Sequence, residues 1–202
     1  MRLVGRSVLI VMLAVAGAAC RHRTSPVQYI PTSPPAPAFH AWLYLQVFDQ
    51  RPLSRGGIDS TRAGWVPGKF GIPRRVRVAE NSVARSVWTA TADAMGQLGI
   101  GATSGQSRLV ATVLEFWEDY VSGSGTHVVV HYQLFDPAGR ERWGATVTSG
   151  SGEPGHLAET PPAMAPPPGG PAAGTFTYAL ADLAAHARAQ FATPAFQQAM
   201  AR

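Results

Sequence analysis

Two histidines four residues apart, His127 and His131, are the chain's nearest approach to a metal-binding pair. On a helix that spacing would bring both imidazoles to one face. The surrounding residues alternate as a strand does, however, and at ~3.3 Å per residue the two stand roughly 13 Å apart, too far to share one ion. Glu115, Glu118 and Asp119 form the acidic cluster. Paired carboxylates can share a proton or hold Ca²⁺, but a strand sends Glu118 to the face opposite Glu115 and Asp119, which leaves a solvated strand end. Gly99 to Gly105 misses the dinucleotide-binding fingerprint by one residue and follows a helical pattern instead of opening one, as a flexible connector would. Ser124 and Ser151 each have Ser two residues earlier, where a nucleophile elbow needs Gly. The expectation is therefore no catalytic residue, no metal, no cofactor and no enzymatic activity.

Charged residues with a structural or surface role are easier to find. Asp49 and Arg51 lie two apart at the end of a strand pattern and so share a face, which suits a local pair that organises the following loop. Arg74, Arg75 and Arg77 form a basic group. Their guanidinium forks suit anionic lipid headgroups or glycan phosphates, and arginines on an edge strand also guard against aggregation.

The single cysteine, Cys20, sits directly after Gly17-Ala18-Ala19. Before it, Arg2 and Arg6 make a short positive region and Leu3 to Ala16 is nearly all apolar, the layout of a secretory signal peptide. The uninterrupted apolar run is well short of the ~20 residues that cross a bilayer. Gly17-Ala18-Ala19-Cys20 resembles the bacterial lipobox, departing from it at Gly17, where a larger aliphatic residue is usual. Residues 1–19 are thus expected to be a lipoprotein signal peptide and Cys20 an acylated anchor, which leaves the mature chain without a thiol or disulfide. A packed core must hold it together.

The chain of 202 residues carries a formal net charge of +5, or +3 once Arg2 and Arg6 are set aside. With no basic stripe interleaved with aromatics, nucleic acid is not an expected partner. Two Pro-rich stretches bracket the remainder. Residues 20–38 read as an acylated cysteine followed by a semi-extended tether, and Glu153 to Gly174 as a disordered surface insertion. Residues 39–202 then make one domain.

Within it, Trp42 to Phe48 alternates as a strand with both faces largely covered, and the Arg51 to Phe70 stretch reads as a loop. Arg75 to Val78 predicts a short edge strand after Pro73. Asn81 is the expected N-cap of a helix whose apolar face is Val83, Val87, Ala90, Ala94 and Leu98, stopped at Gly99. Leu109 to Val121 and His127 to Phe135 predict a hairpin, the Asp136 to Gly139 turn leads to a strand near Arg142 to Thr148, and Phe176, Leu180, Leu183, Ala184 and Ala187 mark a closing helix. A shorter helix is predicted from Pro194 to Met200. This order predicts an α+β fold, an antiparallel or mixed sheet of about five strands with two main helices on one face.

Leu43 to Arg51 with Gly56-Gly57, Met95-Gly96-Gln97-Leu98-Gly99 and the Asp136 to Gly139 turn resemble the corresponding parts of the YajG-like family of uncharacterised bacterial lipoproteins. That resemblance implies an outer-membrane accessory lipoprotein facing the periplasm, with no assigned reaction. Arg21 after Cys20 agrees, since Asp there is what commonly retains lipoproteins in the inner membrane of enteric bacteria. Three functional classes follow in descending order. The first is a membrane-anchored, non-enzymatic envelope lipoprotein that binds an envelope protein, lipid or glycan. The second is an auxiliary lipoprotein of a lipid or lipopolysaccharide transport assembly, and the third an envelope hydrolase.

Overall fold

The computed structural model describes residues 26–27, 29–31, 38–53, 57, 59–67, 73–78, 82–119, 125–150 and 173–201. Their elements in chain order are β1 (Pro26–Val27), β2 (Ala41–Trp42), β3 (Tyr44–Asp49), β4 (Arg62–Pro67), β5 (Pro73–Val78), α1 (Val83–Gly96), β6 (Ile100–Gly101), β7 (Arg108–Asp119), β8 (Gly125–Phe135), β9 (Glu141–Gly150), α2 (Ala173–Phe191) and α3 (Pro194–Met200). The fold is α+β, and its main sheet is mixed, with seven strands.

The frame of that sheet is the antiparallel ladder β7–β8–β9, made of the strands with the most regular apolar alternation. On its other edge β7 carries two shorter strands end to end, both parallel to it: β3 against Arg108 to Val113 and β4 against Glu118 and Asp119. β5 runs antiparallel to β4, and β1 lies parallel beside β5. Side chains alternate across the pleat. Leu109, Ala111, Val113 and Phe116 of β7 are therefore buried together with Val128, Val130, Tyr132 and Leu134 of β8.

Helices α1 and α2 cover this face. α1 buries Val83, Val87, Ala90 and Ala94, the spacing of one helical stripe, and its N-cap is Ser82, whose hydroxyl accepts the Arg85 N–H at 3.1 Å. The Asn81 expected in that role lies outside the described residues. Gly99 ends the helical segment with φ of 71°, and a Cβ there would press on His40, so glycine is required twice over. α2 lays Phe176 flat on Phe116, with ring centroids 4.7 Å apart. α3 begins at Pro194 behind Thr193, whose hydroxyl accepts the Phe196 N–H. Phe196 packs on Phe191 and Trp143, with centroids 4.9 and 4.8 Å apart, and closes the end of the core.

Several expectations change. The strand expected from Trp42 to Phe48 is divided into β2 and β3, and only one of its faces is covered. Leu43 and Leu45 are buried, whereas Trp42, Tyr44 and Phe48 keep 47%, 47% and 48% of their surface. The reason is that both main helices lie on one side of the sheet, so among the described residues no second layer meets the alternate positions of β3. The Arg51 to Phe70 stretch contains β4, which its sequence hides because Arg, Gly and Pro interrupt any apolar period. Ile100 and Gly101, in the segment read as a flexible connector, are buried and pair with Ala41 and Trp42. Pro26 and Val27, read as tether, pair with Arg77 and Val78. Ala173 and Gly174, the end of the expected insertion, open α2, and the rest of that insertion lies outside the described residues.

Candidate functional site

Asp49 ends β3 and Arg51 follows it, with the guanidinium wholly buried. Its Nε donates to Asp49 Oδ1 and one Nη to Oδ2, both at 2.8 Å, a bidentate fork that a lysine could not make. The other Nη donates to the carbonyl oxygens of Arg62 at 2.6 Å and Phe116 at 3.2 Å. A pair expected to shape a local loop thus also ties the end of β3 to β4 and β7. Its chemistry is structural, because the cation is enclosed by protein acceptors and presents nothing to solvent.

A second junction holds the N-terminal segment. Tyr29, 5% exposed, sinks into the core and its hydroxyl donates to Asp93 Oδ2 of α1. Gln97 Nε2 donates to the same carboxylate oxygen at 2.8 Å, and Arg188 of α2 donates to Gln97 Oε1. Tyr29 is therefore tied to α1 directly and to α2 through Gln97. Burial, and then the bond to Asp93, push the Tyr29 hydroxyl well above the ordinary phenol range. The neutral phenol is the form the fold favours. Its contribution is complete below the unfolded value of about 10 and is lost as pH rises beyond it. Tyr29→Phe should cost about 1.5–3 kcal/mol at pH 7, the value of a hydrogen bond to a charged acceptor. The gap in unfolding free energy between wild type and variant should hold to about pH 9 and narrow above 10. A gap that stays constant through the alkaline range would exclude the Asp93 bond as its source.

The remaining sequence candidates are dispersed. Cys20 lies outside the described residues. Arg74, Arg75 and Arg77 all belong to β5, opposite Val66, Trp65 and Arg62 of β4. His127 and His131 sit on β8 opposite Trp117 and Thr112, and His131 Nδ1 is hydrogen-bonded to Thr146 Oγ1 at 3.0 Å. Glu115, Glu118 and Asp119 face Val129, Thr126 and Gly125 in the ladder. Among the described residues no three His, Cys, Asp or Glu side chains gather as a metal site. The Asp136 carboxylate accepts the backbone N–H groups of Ala138 and Arg140 at 2.9 and 3.0 Å. Those bonds, the Arg140 amide first, hold its acidity below the usual carboxylate value, and they shape the β8–β9 turn.

Sequence reasoning missed Tyr29 and Asp93, whose partnership spans 64 residues and leaves no local signal. It also missed the open aromatic row Trp42, Tyr44 and Phe48. There the signal existed, in aromatics at alternate positions, but both neighbouring faces looked equally apolar.

The fold and these junctions define an α+β domain with helices on one face of a mixed sheet and its N-terminal segment docked as an added strand. The crystal structure of XCC0632 from Xanthomonas campestris, of the DUF330 family, is similar, with a TM-score of 0.53 at 16% identity, over 87% of this chain and 97% of that one. An uncharacterized protein of known structure reaches 0.49 at 11% identity, over 83% and 100% of the two chains. The PelC dodecamer from Paraburkholderia phytofirmans reaches 0.39 at 11%, over 75% and 91%. No family model and no curated protein matches the sequence. The likeness to XCC0632 shows the fold.

Proposed function

We propose that this chain is a bacterial envelope lipoprotein, anchored by acyl chains on Cys20 and acting by binding, without catalysis. The observation that carries the reading is the position of its single cysteine behind an apolar leader and Gly17-Ala18-Ala19. The YajG-like motifs support it. No helix of the described residues is long and apolar enough to cross a membrane, so acylation supplies an attachment that those helices do not.

Cys20→Ser is expected to abolish incorporation of an alkyne fatty acid and to move the protein from the membrane pellet to the soluble or unprocessed fraction. Incorporation that persists in the variant would refute the anchor. On a sucrose gradient the wild type should band with outer-membrane markers, as the absence of Asp after Cys20 implies. Recovery with inner-membrane markers would favour the second reading, a subunit attached to a transport assembly.

A further inference from the structure

Where β9 leaves the Asp136 to Gly139 turn, its pairing with β8 slips. Phe135 is opposite Glu141 and Leu134 is opposite Trp143, so Arg142 is the extra residue of a β-bulge. A bulge re-aims one side chain out of the alternation of its strand, and bulges gather beside binding and active sites. The facing wall is held in place. Trp143 packs edge-on against Phe196, with centroids 4.8 Å apart, and fixes α3 beside β9. Ala195, Gln198 and Ala199, at positions i, i+3 and i+4 of α3, share one face of that helix. Between the two elements lies an open cleft of about 400 Å³, lined by these three residues together with Glu141 and Arg142. That volume suits a small ligand.

Both charged walls have bonding capacity to spare. The Arg142 side chain is only 26% exposed, yet among the described residues its guanidinium makes no hydrogen bond. Its nearest carboxylate oxygen, Asp136 Oδ2, stands 4.0 Å away and already accepts Arg140 Nε at 2.9 Å. Asp136 Oδ1 is taken by the amides of Ala138 and Arg140. The N–H fork of Arg142 is thus left to the cleft. Glu141 spends Oε2 on Gln133 Nε2, at 2.9 Å. Its Oε1 lies over Gly144, where a Cβ would approach it to 2.9 Å, so the missing side chain leaves the carboxylate its place. Although consecutive in the chain, Glu141 and Arg142 form no ion pair with each other. One cleft therefore offers an unspent acceptor of negative charge and an unspent positive fork.

We propose that this cleft binds a small zwitterion, a free amino acid or a short peptide with free ends. Arg142 holds the carboxylate through two parallel N–H bonds, the geometry a guanidinium favours. Glu141 Oε1 accepts the ammonium, and the Gln198 amide, which can both donate and accept, bonds the polar groups between them. Ala195 and Ala199 leave room for small side chains. A simple anion would meet Arg142 but also the negative charge of Glu141, which disfavours inorganic phosphate. The site does not depend on Cys20, so it stands or falls apart from the membrane anchor.

Isothermal titration calorimetry on the full chain in detergent micelles tests the site, with alanine and alanyl-alanine as probes that separate the free amino acid from the peptide. At least one of them should bind. Converting the carboxylate of that probe to a carboxamide should weaken it about tenfold or more, the loss expected of a charge-assisted pair. Arg142→Gln should abolish measurable binding. Glu141→Gln should weaken the probe with a free amine and leave its N-acetylated form unchanged. Ala195→Trp fills the cleft from an exposed position and removes no charge, and it should block binding as well. Arg85→Gln is the control, since that guanidinium lies over Trp88 on α1, and it should change nothing. If Arg142→Gln fails to fold, the carboxamide and Ala195→Trp decide in its place. Binding of neither probe, a carboxamide as tight as the carboxylate, or affinity that survives Ala195→Trp would overturn the site. Inorganic phosphate binding as tightly as the better zwitterion would overturn it too, in favour of a plain anion site.

Discussion

Asp49→Ala is expected to lower the unfolding free energy by about 3–5 kcal/mol, because it strands a buried guanidinium without its counterion. Against a typical total of about 5–15 kcal/mol this is a large fraction of the fold's stability. Arg51 has no exposed side-chain surface, so the cation cannot turn to water without opening the junction of β3, β4 and β7. The double variant Asp49→Leu/Arg51→Met removes both charges and should cost less than Asp49→Ala. It still leaves the Arg62 and Phe116 carbonyls short of a donor, at about 1–3 kcal/mol. Urea titrations of the three proteins measure this order directly. A loss under about 1 kcal/mol for Asp49→Ala would mean that solvent reaches Arg51 and that the pair is an ordinary surface bridge.

Phe191→Ala should be comparably damaging, at about 3–5 kcal/mol, the usual result of truncating a buried aromatic. Phe191 is completely buried at the end of α2, with its ring 5.3 Å from Tyr132, 6.1 Å from Trp143 and 4.9 Å from Phe196. These four rings join the sheet to α2 and α3, and neighbours fixed on three elements cannot collapse fully into the space left behind. Phe39→Ala is the control. That ring is half exposed and meets Trp42, so its loss should stay within about 0.5 kcal/mol. Thermal or urea unfolding of both variants gives the comparison, and equal losses would show that the aromatic cluster carries no special share of the core.

Much of the architecture was legible because local periods were strong. The β7–β8–β9 meander follows from regular apolar alternation and from the Asp136 to Gly139 turn, where Gly139 takes a φ of 78°. α1 follows from one stripe of small apolar residues and α3 from proline at its first position. The elements that escaped notice are those held by distant partners. β4 exists because β5 and β7 supply its hydrogen bonds, although Gly64 and Pro67 interrupt a segment in which only Trp65 and Val66 favour a strand. β1 is two residues long and survives through β5 and the neighbouring Tyr29, not through any pattern of its own.

The candidate site divides along the same line. Sequence alone determined that Cys20 stands where an acylated cysteine would, that Asp49 and Arg51 share a strand face, and that Arg74, Arg75 and Arg77 belong to one short segment. Only the tertiary structure decided that Arg51 is wholly enclosed, that Trp42, Tyr44 and Phe48 stay half exposed, and that Pro26, Val27 and Tyr29 are bound to the domain. The physical reason is that spacing along a chain sets which side chains share a face. Burial, by contrast, depends on which remote surface arrives to cover that face, and here, among the described residues, α1 and α2 cover one side of the sheet only.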